Sequence, residues 1–139
     1  MIDWKSLALE VGAIQDGSET GSSAFAQKAI EQIIGVQNVR EAVDYYIRGG
    51  PGAELARFVL WQIHSWTAMQ YCYEIYQTDS DIERRRGAVE LLRVVADRRV
   101  IPWLEEFLTD PDRGIRMWAF GIIDQLLWSE IVEEEEVAA

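Results

Sequence analysis

Few residues in this chain could do chemistry, and their scarcity is informative. There is one histidine, His64, and one cysteine, Cys72. A metal site needs three or four ligands at matched spacing, so a single His and a single Cys supply no ligand set. A nucleophilic triad would have to be built on the lone His64, and no Ser or Cys stands in a recognisable relation to it. His64 follows Leu60-Trp61-Gln62-Ile63, a position where a helix C-terminus favours a dipolar or cationic group. Cys72 lies among Met69, Tyr73 and Tyr76, which reads as a buried structural thiol. Gly49-Gly50-Pro51-Gly52 precedes a helical stretch but lacks the Lys and Ser/Thr of a phosphate-binding loop, so it reads as a turn. Carboxylates are abundant, and on solvated helix faces they carry no catalytic signal. The expectation is a chain without metal, cofactor or catalytic centre.

The charge points the same way. Lys and Arg number 13 against 24 Asp and Glu, a formal net charge of −11. Nucleic-acid backbones demand positive surface potential, so this balance disfavours DNA and RNA. It favours attraction to a basic protein. Four of the negative charges, Glu133, Glu134, Glu135 and Glu136, sit in what reads as a solubilising tail over 131–139, and Glu130 immediately precedes it. The start Met1-Ile2-Asp3-Trp4-Lys5 lacks the basic and apolar regions of a signal peptide, and no apolar run is long enough for a membrane span. The expectation is a soluble, cytoplasmic protein of one domain.

The elements that position these residues repeat. Thr78-Asp79-Ser80-Asp81 returns as Thr109-Asp110-Pro111-Asp112, and Arg85, Ala88, Leu91 and Leu92 return 31 residues later as Arg116, Ala119, Ile122 and Ile123. Further back, Leu55, Val59 and Ile63, then Phe25, Ala29 and Ile33, take corresponding places. Apolar positions at i, i+4 and i+8 predict helices starting near residues 23, 53, 82 and 113. Helical stretches over 37–48, 67–77 and 98–108 alternate with them and align as columns. Val39, Met69 and Val100 form one; Val43, Tyr73 and Leu104 a second; Tyr46, Tyr76 and Phe107 a third. A first helix is expected over roughly 3–14, and Asp16 to Ser23 reads as a long polar loop. Asp79, Asp81, Asp110 and Asp112 are N-cap candidates, and Pro111 suits a first turn. A period near 30 with helical spacing inside it predicts an all-α repeat architecture.

Pro102, Asp110, Ile115 and Arg116 resemble the HEAT-repeat pattern of a Pro in the first helix, an Asp in the turn and an aliphatic–Arg pair in the second helix. The preceding unit keeps Asp79 and Arg85 but has Tyr71 and Arg84 at the other two places. The resemblance implies a right-handed α-solenoid of about four antiparallel helix pairs, over about 1–34, 36–64, 67–95 and 98–128. It also implies that turn aspartates and arginines of adjacent units form a stacking ladder. The first helices would then carry Asp44, Glu74 and Glu105 as an acidic stripe on a convex face. The second helices would line a concave side with Arg57, Trp61, His64, Arg86, Glu90, Arg93 and Asp124, a mixture suited to protein recognition. The leading expectation is a non-enzymatic protein-binding chain with one protein partner; its sharper form is an immunity-type inhibitor that neutralises a basic bacterial toxin. A scaffold or chaperone-like subunit, as in HEAT-like bilin lyases, is the alternative. A HEAT-like DNA glycosylase is a third, opposed by the charge.

Overall fold

Short polar side chains start the helices. Asp3, Ser22, Ser65, Asp81 and Asp112 each accept a backbone N–H from the first turn of the helix that follows. These bonds satisfy donors that a helix leaves open at its N-terminus. A computed structural model describes residues 1–129 and 137 of the chain. Glu130 and the Glu133–Glu136 run lie outside the described residues. In chain order the elements are α1 (Trp4–Val11), β1 (Ile14–Gln15), β2 (Ser18–Glu19), α2 (Ser23–Ile34), α3 (Val36–Arg48), α4 (Ala53–Gln62), α5 (Trp66–Thr78), α6 (Ile82–Val95), α7 (Ile101–Leu108) and α8 (Arg113–Trp128). Among the described residues the fold is all-helical apart from the β1–β2 ribbon. No described helix is long and apolar enough to cross a membrane.

The helix starts expected near 23, 53, 82 and 113 fall at Ser23, Ala53, Ile82 and Arg113. Three local expectations are corrected. The supposed polar loop holds an antiparallel ribbon pairing Ile14 with Glu19 and Gln15 with Ser18. Its turn is Asp16-Gly17, both at positive φ (52° and 77°), a geometry whose twist matches the flanking strands. Helix α1 stops at Val11 because Gly12 takes the left-handed conformation, its N–H bonding back to Ala8 and Leu9 carbonyls. Helix α7 begins at Ile101, after a 3-10 turn over Arg98–Val100 that Asp97 caps.

Helices joined by short turns pack on one another: α3 on α4, α5 on α6 and α7 on α8. Across those pairs, α3 packs on α5, while α6 packs on both α4 and α8. The core is built from Val39, Val43, Leu60, Met69, Cys72, Val89, Leu91, Leu92, Phe107, Ile115, Ile122 and Leu126, among others. Aromatic side chains line its edge: Trp103 stacks on Tyr73 at 4.4 Å and on Trp66 at 5.6 Å between ring centroids. The N-terminal end is different. Helix α2 packs on α1 and α3 without broad packing on α4, and none of its residues is buried. Ile33, Leu55 and Val59, aligned with core positions of later units, are accordingly exposed.

Three consecutive arginines tie the later helices together. Arg84 pairs with Asp79 and reaches back to Asp44 on α3, each at 2.9 Å. Arg85 reaches forward to Asp110 at 3.1 Å and donates to the Tyr76 carbonyl. Arg86 reaches Asp112, the α8 cap, at 2.6 Å. Asp79 and Asp110 do not cap helices; each accepts the backbone N–H two residues on and holds the turn. Arg116 completes the same turn by donating to the Asp110 and Pro111 carbonyls.

Candidate functional site

A side chain that recognises a partner must be free to do so, and most of the residues nominated from the sequence are already engaged. On the acidic stripe, Asp44 accepts from Arg84 and from the Tyr71 hydroxyl at 2.7 Å. Glu74 pairs with Arg40 at 3.0 Å. Glu105 is exposed. The stripe is therefore largely neutralised by the chain's own cations, and the image of a free acidic band is corrected.

The second-helix set is dispersed over several separate arrangements. Arg86 is bound to Asp112 and Glu83, and Gly114 makes room for it; a Cβ there would lie 2.9 Å from its Nε. Glu90 accepts from the Tyr46 hydroxyl at 2.8–2.9 Å. Burial first, and then that bond, push the phenol up to about 12, while nearby Arg57 opposes the shift. Tyr46, Arg57 and Glu90 thus meet where α3, α4 and α6 join. Arg57 also pairs with Glu54 at 2.7 Å and lies 5.3 Å above the Phe58 ring.

His64 sits in the turn after α4 at φ 39°, unusual for a residue with a Cβ. Its Nδ1 is 3.1 Å from the Val95 carbonyl, and its own carbonyl accepts from Arg99 at 2.9 Å. It pins that turn to the end of α6. Trp61 is half-buried and packs against the core. Arg93 lies 5.3 Å above the Trp118 ring, its shaft occupying the space that Gly121 leaves open. With Asp124, Gln125, Leu127 and Trp128 it lines an open cleft of ≈ 570 Å³. Among the described residues no three His, Cys, Asp or Glu side chains could hold a metal ion together.

The surface also carries large apolar side chains that nothing covers. On α4, Leu55, Phe58 and Val59 are 69%, 45% and 40% exposed. Their i, i+3, i+4 spacing sets them on one face. Ile30 and Ile33 of α2 are also exposed. On α8, Met117, Phe120 and Trp128 stand outward at 60%, 61% and 85%. None of these was nominated as a binding residue from the sequence, where Ile33, Leu55 and Val59 fell among the aligned apolar positions of the helices. Their signal is a second apolar register beside the core one: in α8 the core takes 115, 119, 122 and 126, leaving 117, 120 and 128 without an inward place. A further cleft of ≈ 670 Å³ opens between α1–α2 and the turn carrying His64, walled by Lys28, Glu31, Trp66 and Arg99. Glu31 fastens it by accepting from the Thr67 N–H and hydroxyl. No protein-family model, no curated protein and no solved structure matches the chain, so its functional reading rests on its own residues.

Proposed function

We propose that this chain is a non-enzymatic, HEAT-like protein-binding module whose helix pairs stack as a right-handed solenoid, and that its α4 face, with Leu55, Phe58 and Val59, receives one protein partner. The observation that carries the reading is that apolar face. Three large side chains exposed together on one helix forgo burial worth about 25 cal/mol per Å² unless something covers them. Arg57 beside Phe58 adds the aromatic–arginine character common in interface anchors. The alternation of helix packing, with α6 bridging α4 and α8, supports the stacking. The net charge of −11 favours a basic partner and fast, electrostatically steered association. In its sharper form the partner is a basic toxin whose active surface the module covers.

The test compares the chain with its Leu55→Ser/Phe58→Ser variant in affinity capture from the source cells. Because both side chains are exposed, folding should be unchanged while a basic protein retained by the parent is lost from the variant. The expected loss exceeds about tenfold in affinity, the scale of one interface hot spot. Equal retention by both forms would remove the α4 face from the proposal. The recovered protein, assayed with and without the module, decides the inhibitor reading.

A further inference from the structure

The outward stripe of α8 reads Arg113, Met117, Phe120, Asp124 and Trp128, all exposed. Its first four members are spaced four, three and four residues apart, the seam spacing of paired helices. Turned end for end, the stripe matches itself. About a point between Trp118 and Ala119, Arg113 maps onto Asp124 and Met117 onto Phe120. Trp118 and Ala119 themselves face inward against the core. Two copies of α8 laid antiparallel therefore place Arg113 of each opposite Asp124 of the other, twice, with two Met–Phe contacts between. A parallel arrangement would instead set Arg113 against Arg113.

The charges carry a second sign of this use. Arg113 opens α8, where the macrodipole disfavours a cation, and Asp124 lies a turn from its end, where an anion is disfavoured. Neither makes an ion pair with another described residue. An antiparallel second helix brings the compensating charge to both ends.

We propose that the α8 stripe is a self-recognition surface through which two copies of this chain form a twofold-symmetric dimer, with reciprocal Arg113–Asp124 pairs closing a Met117–Phe120 centre. A seam of this length runs about 16 Å at 1.5 Å per residue. So short a seam makes a small interface, and the dimer is expected to be weak and to form only at high protein concentration. The pairing is separate from the α4 face, so Leu55→Ser/Phe58→Ser leaves it intact.

Sedimentation equilibrium from about 10 μM to about 1 mM, in about 0.15 M salt where surface charges are screened beyond about 8 Å, tests the pairing. Arg113→Asp sets aspartates opposite Asp124 and should weaken the dimer at least tenfold, and Asp124→Arg should do the same. Arg113→Asp combined with Asp124→Arg exchanges the two charges and should restore the dimer to within about threefold of the parent. Circular dichroism verifies that each variant is folded. A parent chain that stays monomeric at the highest concentration overturns the proposal. So does a dimer indifferent to Arg113→Asp, or a folded charge-exchange variant that remains dissociated.

Discussion

Asp110 should be the most expensive surface-adjacent carboxylate to remove. Its side chain is only 5% exposed, and it accepts from the Tyr76 hydroxyl at 2.8 Å, from Arg85 at 3.1 Å and from the Asp112 N–H at 2.8 Å. Truncation in Asp110→Ala strands all three donors. The Tyr76 hydroxyl is the costly one: Tyr76 is buried, and its nearest substitute acceptor, the Glu106 carbonyl, is already at 3.4 Å. A buried unsatisfied donor costs about 1–3 kcal/mol. The Asp112 N–H adds about 1 kcal/mol, and Arg85, part-solvated and still bonded to the Tyr76 carbonyl, adds about 0.5–1 kcal/mol. The expected loss is about 3–5 kcal/mol, a fifth or more of the stability of an ordinary domain. In urea unfolding followed by circular dichroism and tryptophan fluorescence, the midpoint should fall steeply while m is preserved. Asp110→Asn keeps an acceptor and should lose about half as much. A displacement below about 1 kcal/mol for Asp110→Ala would refute the view that this carboxylate clasps α5, α6 and the α7–α8 turn together.

Two further predictions concern titration and reactivity. The Arg86 guanidinium, more than any other neighbour, holds the Asp112 carboxyl down at about 2, below the unfolded value of about 3.9. A depressed folded value contributes stability that is present above about pH 4 and lost as pH falls through about 2, so Arg86→Gln should flatten the fall in urea midpoint across that window. Flattening that is absent would deny the coupling. Burial pushes the Cys72 thiol far above its ordinary range. Ellman's reagent should therefore modify it only at the rate of unfolding, and stoichiometric reaction within seconds in native buffer would contradict its placement.

Helix positions were legible because their punctuation is local. Asp81 and Asp112 cap, the glycines at 35, 49 and 52 interrupt, and the apolar columns of the later units go inward as spaced. The Asp16-Gly17 turn was equally local and is a strong hairpin signal, but two-residue strands leave no alternation to read. Periodicity says which side chains are apolar, not whether a neighbour arrives to cover them. Leu55 and Val59 share a register with Ile115 and Ala119, yet α2 does not pack broadly on α4, so they stay exposed. The ion pairs were legible only in kind. That turn aspartates would meet arginines was implied by the HEAT-like resemblance, and Arg85 does pair with Asp110. That Arg84 would turn back to Asp44 and Arg86 forward to Asp112 depends on how α3, α6 and α8 lie together in space, as does the neutralisation of the acidic stripe.

The arginine triplet has a consequence for the order in which the chain consolidates as it is made. Synthesis delivers about 5–20 residues per second, N-terminus first. Helices α1 to α4 therefore emerge seconds before Arg84, Arg85 and Arg86, and α2 brings no buried residue of its own to hold them. The first half of the molecule is born without the cations that anchor Asp44 and without most of the core that α5 to α8 supply. Until α6 is out, the nascent chain carries the Leu55–Phe58–Val59 face without the Arg84 contact to Asp44 and without most of the core.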